Sequence, residues 1–245
     1  MKTGLFIPCY IDQFYPNVAI ATMQLLERSG CEVVYPLNQT CCGQPMANSG
    51  FAAFSKGCDK NFVQNFSGVD YIVAPSGSCV LHIKEHLQDE DEQKATYIKQ
   101  HIYELTEFLT DILKIEKLDA DFPHKVGLHI SCHGQRGLNL SSMSELMEPS
   151  FSKPERLLGM VKGLQLAKPK RSDECCGFGG TFCVFEEAVS VKMGKDRIRE
   201  HAANEVEYIT AADTSCLMHL EGILKRQGSS VKTIHIAEIL NSSKA

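Results

Sequence analysis

The chain has 245 residues, 43% of them hydrophobic, which is enough apolar material for one large domain or two domains. A formal net charge of −5 gives no electrostatic reason to expect a nucleic-acid partner. No apolar run approaches the roughly 18 residues that span a bilayer, and the short apolar N-terminus is interpreted as a strand rather than a secretory signal. We therefore expect a cytoplasmic protein with no membrane span, in which clustered cysteines bind metal or carry redox chemistry.

Short apolar segments alternate with helical patterns in the first half of the chain. Strands are predicted at 3–8, 31–36 and 69–75, and helices at about 14–29, at about 47–66 and from near Cys79 onward. This order predicts a parallel sheet built from βαβ units.

The middle of the chain, 91–122, is charged and has apolar residues at helical spacing: Leu105, Phe108, Leu109, Ile112 and Leu113. We predict a bridging helical segment that docks on the fold.

The pattern of the first half then repeats. Strands are predicted at 125–130, 163–169 and 207–213, and KVGLHI corresponds to TGLFIP at the start of the chain. The predicted fold is α/β, with two pseudo-symmetric, Rossmann-like halves that contain parallel sheets and arose by internal duplication. Its predicted parts are a first repeat at 1–90, the bridging segment at 91–122 and a second repeat at 123–245.

Eight of the eleven cysteines form two similar quartets, each with one adjacent Cys-Cys-Gly and single cysteines upstream and downstream. The quartets are Cys9, Cys41, Cys42 and Cys79, and Cys132, Cys175, Cys176 and Cys216. Adjacent cysteines do not easily form a disulfide with each other. The carboxyl ends of parallel strands meet at one edge of a sheet, where helix N-termini favour thiolates. The sequence therefore predicts one metal or cluster site in each half.

Zinc and iron–sulfur clusters both suit four thiolates. Structural zinc sites usually present two cysteines on one short turn, whereas these ligands come from three loops of a sizeable fold, which favours a functional cluster. A zinc-bearing or metal-free scaffold subunit is the alternative. A thiol–disulfide enzyme is less favoured because the chain has no thioredoxin-type C-x-x-C.

Several other residues are candidates for the site. His82 and His219 each lie three residues after the last cysteine of a quartet, where they could ligate the metal, donate to a sulfur or bond a nearby carbonyl. His133 could tune or protonate the second site, or it could be a loop histidine that bonds only to the backbone. Arg136 could hold a substrate carboxylate, or it could simply be solvated. The remaining cysteines are interpreted as structural: Cys31, Cys58 and Cys183.

Five segments together resemble a known family: TGLFIPCYIDQFYP, TCCGQPMANSG, APSGSC, CCGFGGTF and DTSCLMH. They resemble the lactate utilization protein A group of the cysteine-rich (CCG) domain family. That family is related to the heterodisulfide reductase catalytic subunit and to the glycolate oxidase iron–sulfur subunit. The resemblance covers essentially the whole chain.

The resemblance implies an iron–sulfur redox subunit of a cytoplasmic complex that oxidises lactate, a small 2-hydroxy acid, to pyruvate. It also implies two partner subunits, one with ferredoxin-type clusters, and two 4Fe–4S clusters held by the eight cysteines. In the heterodisulfide reductase relatives each motif ends in C-x-x-C, whereas here His82 and His219 replace the second cysteine. Four cysteines per site suffice for an ordinary cubane cluster, but the five-cysteine arrangement that holds the non-cubane cluster of those relatives is not available. Disulfide-cleaving chemistry of their kind is therefore not expected. No nicotinamide or flavin motif is present, so we expect the chain to relay electrons.

Overall fold

The computed structural model describes residues 1–242, which form two compact units. The first is Met1–Leu113, and the second begins at Lys114. Every helix within the described residues is too short or too polar to reach across a bilayer.

The first unit is built on a four-stranded, all-parallel sheet with the order β2-β1-β3-β4. Its strands are β1 (Lys2–Leu5), β2 (Glu32–Val34), β3 (Tyr71–Ala74) and β4 (Ile102–Glu104). Its helices are Cys9–Phe14, Pro16–Arg28, Gln44–Asn48, Lys56–Phe66, Gly77–His86, Glu92–His101 and Leu105–Glu107, with a 3₁₀ turn at Ala52–Ser55 and a π-helical turn at Phe108–Ile112.

Helices pack against the first sheet, and its strands carry mostly buried side chains. Strands covered in this way read as short apolar runs rather than alternating ones. The Phe6 ring, just after β1, packs edge-on against Phe62 and Phe66, with ring centroids 4.9 and 5.9 Å away. These aromatic rings join the sheet to the helix Lys56–Phe66.

The second unit repeats this architecture in a four-stranded parallel sheet with the order β6-β5-β7-β8. Its strands are β5 (Lys125–Leu128), β6 (Gln165–Ala167), β7 (Tyr208–Ala211) and β8 (Lys232–His235). Its helices are Lys153–Leu158, Phe182–Phe185, Glu187–Ala202, Thr214–Arg226 and Ile236–Leu240, with a π-helical turn at His133–Gly137. The predicted α/β fold with parallel sheets in two similar, Rossmann-like halves is confirmed.

Two edge strands were not anticipated from the sequence. The segment 91–122 contains the helix Glu92–His101 but also β4, in which Ile102 is fully buried and pairs with Ile72 of β3. The strand β8 occupies the equivalent edge of the second sheet. Residues 91–113 therefore belong to the first unit.

The first helix also begins earlier than the sequence pattern indicates. Helical structure starts at Cys9, directly after the extended Pro8, and is interrupted at Tyr15. Pro16 then occupies the first position of the next helix, where its missing N–H is not needed. This early start places Cys9 at the beginning of a helix, close to the carboxyl end of β1.

Candidate metal centre

The cysteines of the first quartet converge because each lies beyond the carboxyl end of a strand. Cys9 follows β1, the pair Cys41 and Cys42 lies in the loop after β2, and Cys79 lies in the first turn of the helix after β3. Since β1 lies between β2 and β3 and all three are parallel, these ends share one edge of the sheet.

The first quartet forms a continuous chain of sulfur contacts. The Sγ atoms of Cys9 and Cys41 lie 3.8 Å apart. The Cys42 thiol is in hydrogen-bond contact with the sulfurs of Cys41 and Cys79. Cys42 and Cys79 are buried, whereas Cys9 and Cys41 are half-buried. One side of the group therefore faces the protein interior, and the other is closer to solvent.

The second quartet repeats this arrangement in the second unit. The Cys175 thiol contacts those of Cys132 and Cys176, and Cys176 also contacts Cys216. Cys176 and Cys216 are buried, and Cys132 and Cys175 are half-buried. The structure therefore brings together all four predicted cysteines in each unit.

A glycine next to each cysteine pair supplies a backbone donor. The amide nitrogens of Gly43 and Gly177 lie 3.4 and 3.3 Å from the sulfurs of Cys41 and Cys175. Both glycines have a φ of 89°, which other residues rarely adopt. A Cβ at Gly177 would lie 2.7 Å from the carbonyl oxygen of Ser190. The second Cys-Cys-Gly loop therefore needs glycine both for its conformation and for its close contact with the helix Glu187–Ala202.

The electrostatics of each quartet favour a single thiolate. Hydrogen bonds from Cys42 and Cys9 lower the pKa of Cys41 to about 2. Hydrogen bonding with Cys41, together with burial, raises the pKa values of Cys9 and Cys42 well above the ordinary cysteine value. In the second quartet, Cys132 provides the main hydrogen bond that lowers the pKa of Cys175 to about 2. Further ionisation would bring like charges together, so a bound cation is needed to hold all four thiolates.

The donor set fits a metal centre. Each quartet consists of four free thiols joined by a chain of contacts, with a backbone amide directed at one sulfur. Sulfur-only ligation of this kind suits an iron–sulfur cluster or zinc.

Comparisons with known proteins agree with this duplicated design. The cysteine-rich domain (CCG) family model matches residues 3–84 and 126–221, one match in each unit. The chain is 42% identical to "Lactate utilization protein A" of Geobacillus sp. (strain WCH70), covering 99% of this chain and 100% of that protein. It is 40% identical to the protein of the same name from Geobacillus thermodenitrificans (strain NG80-2), covering 98% and 99%. The chain belongs to the lactate utilization protein A family. The predicted resemblance is confirmed.

A solved structure shares the fold of this family member. The crystal structure of a hypothetical protein from Helicobacter pylori matches 98% of this chain and 48% of that chain, with a TM-score of 0.60 and 14% identity. The match shows a common architecture only.

His82 and His219, the two histidines that follow the quartets in the sequence, lie near the cysteine sulfurs. His82 is buried, and this burial lowers its pKa, while negative charge on Cys41 acts in the opposite direction. The Nε2 atom of His219 lies 3.3 Å from the carbonyl oxygen of Ser190 and 3.5 Å from its hydroxyl. Ligation by either histidine stays a prediction.

His133 and Arg136 lie on the surface beside the second quartet, in the π-helical turn that follows Cys132. Arg136 forms an ion pair with Glu145, with an N–O distance of 3.2 Å. A role for either residue with protons or substrate stays a prediction.

The three cysteines outside the quartets have different surroundings. Cys31 is buried, and this burial raises the pKa of its thiol. The Cys183 thiol donates to the carbonyl oxygen of Gly180 at 3.0 Å. Cys58 lies next to the first Cys-Cys-Gly loop, on the helix that packs against it.

His129, to which the sequence pattern gives no role, lies at the second quartet. A ring nitrogen of His129 and the sulfurs of Cys176 and Cys216 all lie within 4.8 Å of one another. His129 is almost fully buried, just after β5. A signal for it was present in the sequence, because Phe6 occupies the corresponding position after β1.

Proposed function

We propose that this chain is an iron–sulfur redox subunit of a cytoplasmic complex that oxidises lactate to pyruvate. The observation that carries the proposal is the meeting of four cysteine thiols in one unit and its repetition in the other. The substrate is proposed from the name of the relatives, which are lactate utilization proteins. The chain would relay electrons rather than take a hydride itself.

The ligands of the two proposed 4Fe–4S clusters are the eight cysteines of the quartets. Such clusters supply one-electron transfer. The chain contributes the amides of Gly43 and Gly177, whose donation to Cys41 and Cys175 stabilises negative charge on sulfur. The half-buried sulfurs of each quartet lie on the side from which an electron would enter or leave.

A second argument supports the proposed partner subunits. Oxidation of a 2-hydroxy acid removes two electrons, whereas an iron–sulfur cluster passes one at a time. Two partner subunits, one with ferredoxin-type clusters, would complete the reaction. Exposed apolar side chains follow both Cys-Cys-Gly loops, which is typical of interaction surfaces. They are Phe51, Phe54, Val184 and Phe185.

Growth on lactate tests the proposal. Deleting the gene should abolish growth on lactate as sole carbon source and leave growth on pyruvate intact. The wild-type chain should restore growth, and the double variant Cys42→Ser, Cys176→Ser should not. Cys31→Ala is the matched control and should restore growth fully, because Cys31 lies outside both quartets.

The alternative has its own outcome in the same experiment. A zinc-bearing or metal-free scaffold subunit would not need cluster ligands for electron transfer. Full restoration of growth by the double serine variant would therefore support the scaffold and contradict electron relay. Normal growth on lactate after deletion would contradict both.

A further inference from the structure

The residues that support the two quartets can be compared position by position. Gly43 packs against Ser55, and Gly177 packs against Ser190, so the two serines are equivalent. Seven residues further along each chain segment lie Phe62 in the first unit and Arg197 in the second. The equivalent helices thus present an aromatic ring in one unit and a guanidinium in the other.

Two more pairs complete the correspondence. A Cβ at Gly4 of β1 would contact Phe66, and one at Gly127 of β5 would contact His201, so these two side chains are equivalent. Two residues beyond each glycine stand Phe6 and His129. The aromatic trio of the first unit is therefore replaced by a basic trio in the second. The trios are Phe6, Phe62 and Phe66, and His129, Arg197 and His201.

The aromatic trio offers the first quartet no polar support. Its three rings pack against one another, with centroids 4.6 to 5.9 Å apart, and all three side chains are buried. The trio contributes apolar packing and no hydrogen-bond donor.

The basic trio centres on Arg197, whose side chain is completely buried. Its Nε donates to Nδ1 of His129 at 3.2 Å. Its Nη1 donates to the carbonyl oxygen of Arg171 and lies 3.3 Å from a carboxylate oxygen of Glu200. An arginine stays charged in proteins, so these contacts hold a charged guanidinium inside the second unit, where the Glu200 carboxylate offsets part of its charge.

The hydrogen bond from Arg197 fixes the tautomer of His129. An arginine nitrogen can only donate, so Nδ1 of His129 must accept, and the neutral ring carries its proton on Nε2. Within residues 1–242 the buried Nε2 has no hydrogen-bond partner. Because Nδ1 accepts from Arg197, Nε2–H is the one donor that the ring has left, and a ring nitrogen of His129 lies within 4.8 Å of the sulfurs of Cys176 and Cys216. His129 is therefore suited to donate to sulfur rather than to ligate a metal.

We propose that His129 and Arg197 make the second centre easier to reduce than the first. His129 donates its Nε2–H to a sulfur of the second centre, and Arg197 is a positioning residue that fixes this donor and adds a buried positive charge. Hydrogen bonds to cluster sulfurs and nearby positive charge stabilise an added electron. The step is a one-electron reduction in which no bond to hydrogen breaks. The inference rests on the proposed function, because it requires a cluster in each quartet.

A redox titration followed by electron paramagnetic resonance tests this inference on the anaerobically purified full chain, with dithionite as reductant. We expect two centres with different reduction potentials, and Cys42→Ser should remove the signal of the lower one. His129→Phe, which copies the first unit, should lower the reduction equilibrium constant of the second centre at least about tenfold, or about 59 mV for a one-electron couple. The first centre should not change.

Conservative variants separate a donor role from a merely structural one. His129→Gln keeps a side-chain N–H near the position of Nε2 and should retain most of the wild-type potential. Arg197→Lys keeps the charge but loses the Nε donor. The reduction potential of its second centre should therefore lie between those of wild type and His129→Phe. Phe6→Leu is the matched control in the first unit and should leave the second centre unchanged.

Three outcomes would overturn the inference. They are equal potentials for the two wild-type centres, an unchanged potential in His129→Phe, and a shift in His129→Gln as large as in His129→Phe. If His129→Phe does not retain its clusters, the reduction potentials of the two centres in the wild-type chain decide whether the inference stands. A wild-type chain that binds no cluster at all would contradict the proposed function itself, and this inference with it.

Discussion

The sulfur atoms of Cys9 and Cys41 lie 3.8 Å apart, although 32 positions separate the two residues in the sequence. The contact exists because β1 and β2 pair in parallel, with Gly4 opposite Val34, so that the segments after both strands leave the same edge. The site is thus a product of sheet topology. We therefore expect that its ligands can be changed one at a time without loss of the sheet.

Cys42→Ser should remove the first cluster and leave the second in place. Serine is a poor ligand for iron, and Cys42 connects Cys41 to Cys79 in the chain of sulfur contacts. Iron per chain should fall by about half, with an unchanged circular dichroism spectrum. Cys31→Ala should keep the full iron content. Equal iron in Cys42→Ser and wild type would argue against ligation by this quartet.

Gly177→Ala should disrupt the second centre. Gly177 has a φ of 89°, and a Cβ there would lie 2.7 Å from the Ser190 carbonyl oxygen. We expect a loss of about 1–3 kcal/mol in the free energy of unfolding and loss of the second cluster. Denaturant unfolding and iron analysis measure the two effects.

Gly222→Ala is the control for that variant. Gly222 lies inside the helix Thr214–Arg226, and a Cβ there would meet nothing within 4 Å. Alanine should stabilise this helix by about 0.5–1 kcal/mol. Similar destabilisation by both substitutions would show that the loop has no special need for glycine.

Glu104 should make stability fall as the pH rises. Burial raises the pKa of this carboxyl from 4.5 to about 8, so the folded chain holds the proton more tightly than the unfolded chain. The free energy of unfolding should therefore decrease between about pH 4.5 and pH 8. Glu104→Gln should remove this dependence. Between pH 6 and pH 9 the free energy of unfolding of the wild type should fall by roughly 2–3 kcal/mol relative to that of the variant.

Denaturant unfolding at those two pH values measures the effect of Glu104. The exposed Glu116 provides the control, and Glu116→Gln should follow the wild-type pH dependence. Parallel pH profiles for wild type and Glu104→Gln would mean that Glu104 is ionised in the folded chain at neutral pH.

Removal of the metal should leave both units folded. Each sheet has its own buried apolar residues, such as Leu5 and Ile72 in the first unit and Val126 and Ile209 in the second. Chelation after oxidation should preserve the far-ultraviolet circular dichroism spectrum and a cooperative thermal transition. Unfolding on chelation, as in zinc-dependent domains, would show that the metal is structural.

Much of the fold could be predicted from the sequence because the central strands are short apolar runs followed by cysteines. Both quartets follow from that pattern, since parallel strands bring the cysteines to one edge. The strand β4 could not be predicted. It has only three residues, Ile102–Glu104, and lies between two segments with a helical pattern.

The role of His129 could not be derived from the sequence, because it depends on Arg197, which is 68 residues away. A histidine at the end of an apolar strand is ambiguous until the side chain packed against it is known. Comparison of the two halves would have identified the position, since Phe6 stands there in the first half. The presence of a histidine in the second half, where the first half has a buried phenylalanine, is the signal that marks this position.

Iron and acid-labile sulfide per chain, measured on protein purified without oxygen, test the central claim most directly. Two occupied quartets predict about eight iron and eight sulfide per chain, in a brown protein. Colourless protein with stoichiometric zinc and no labile sulfide would contradict the account.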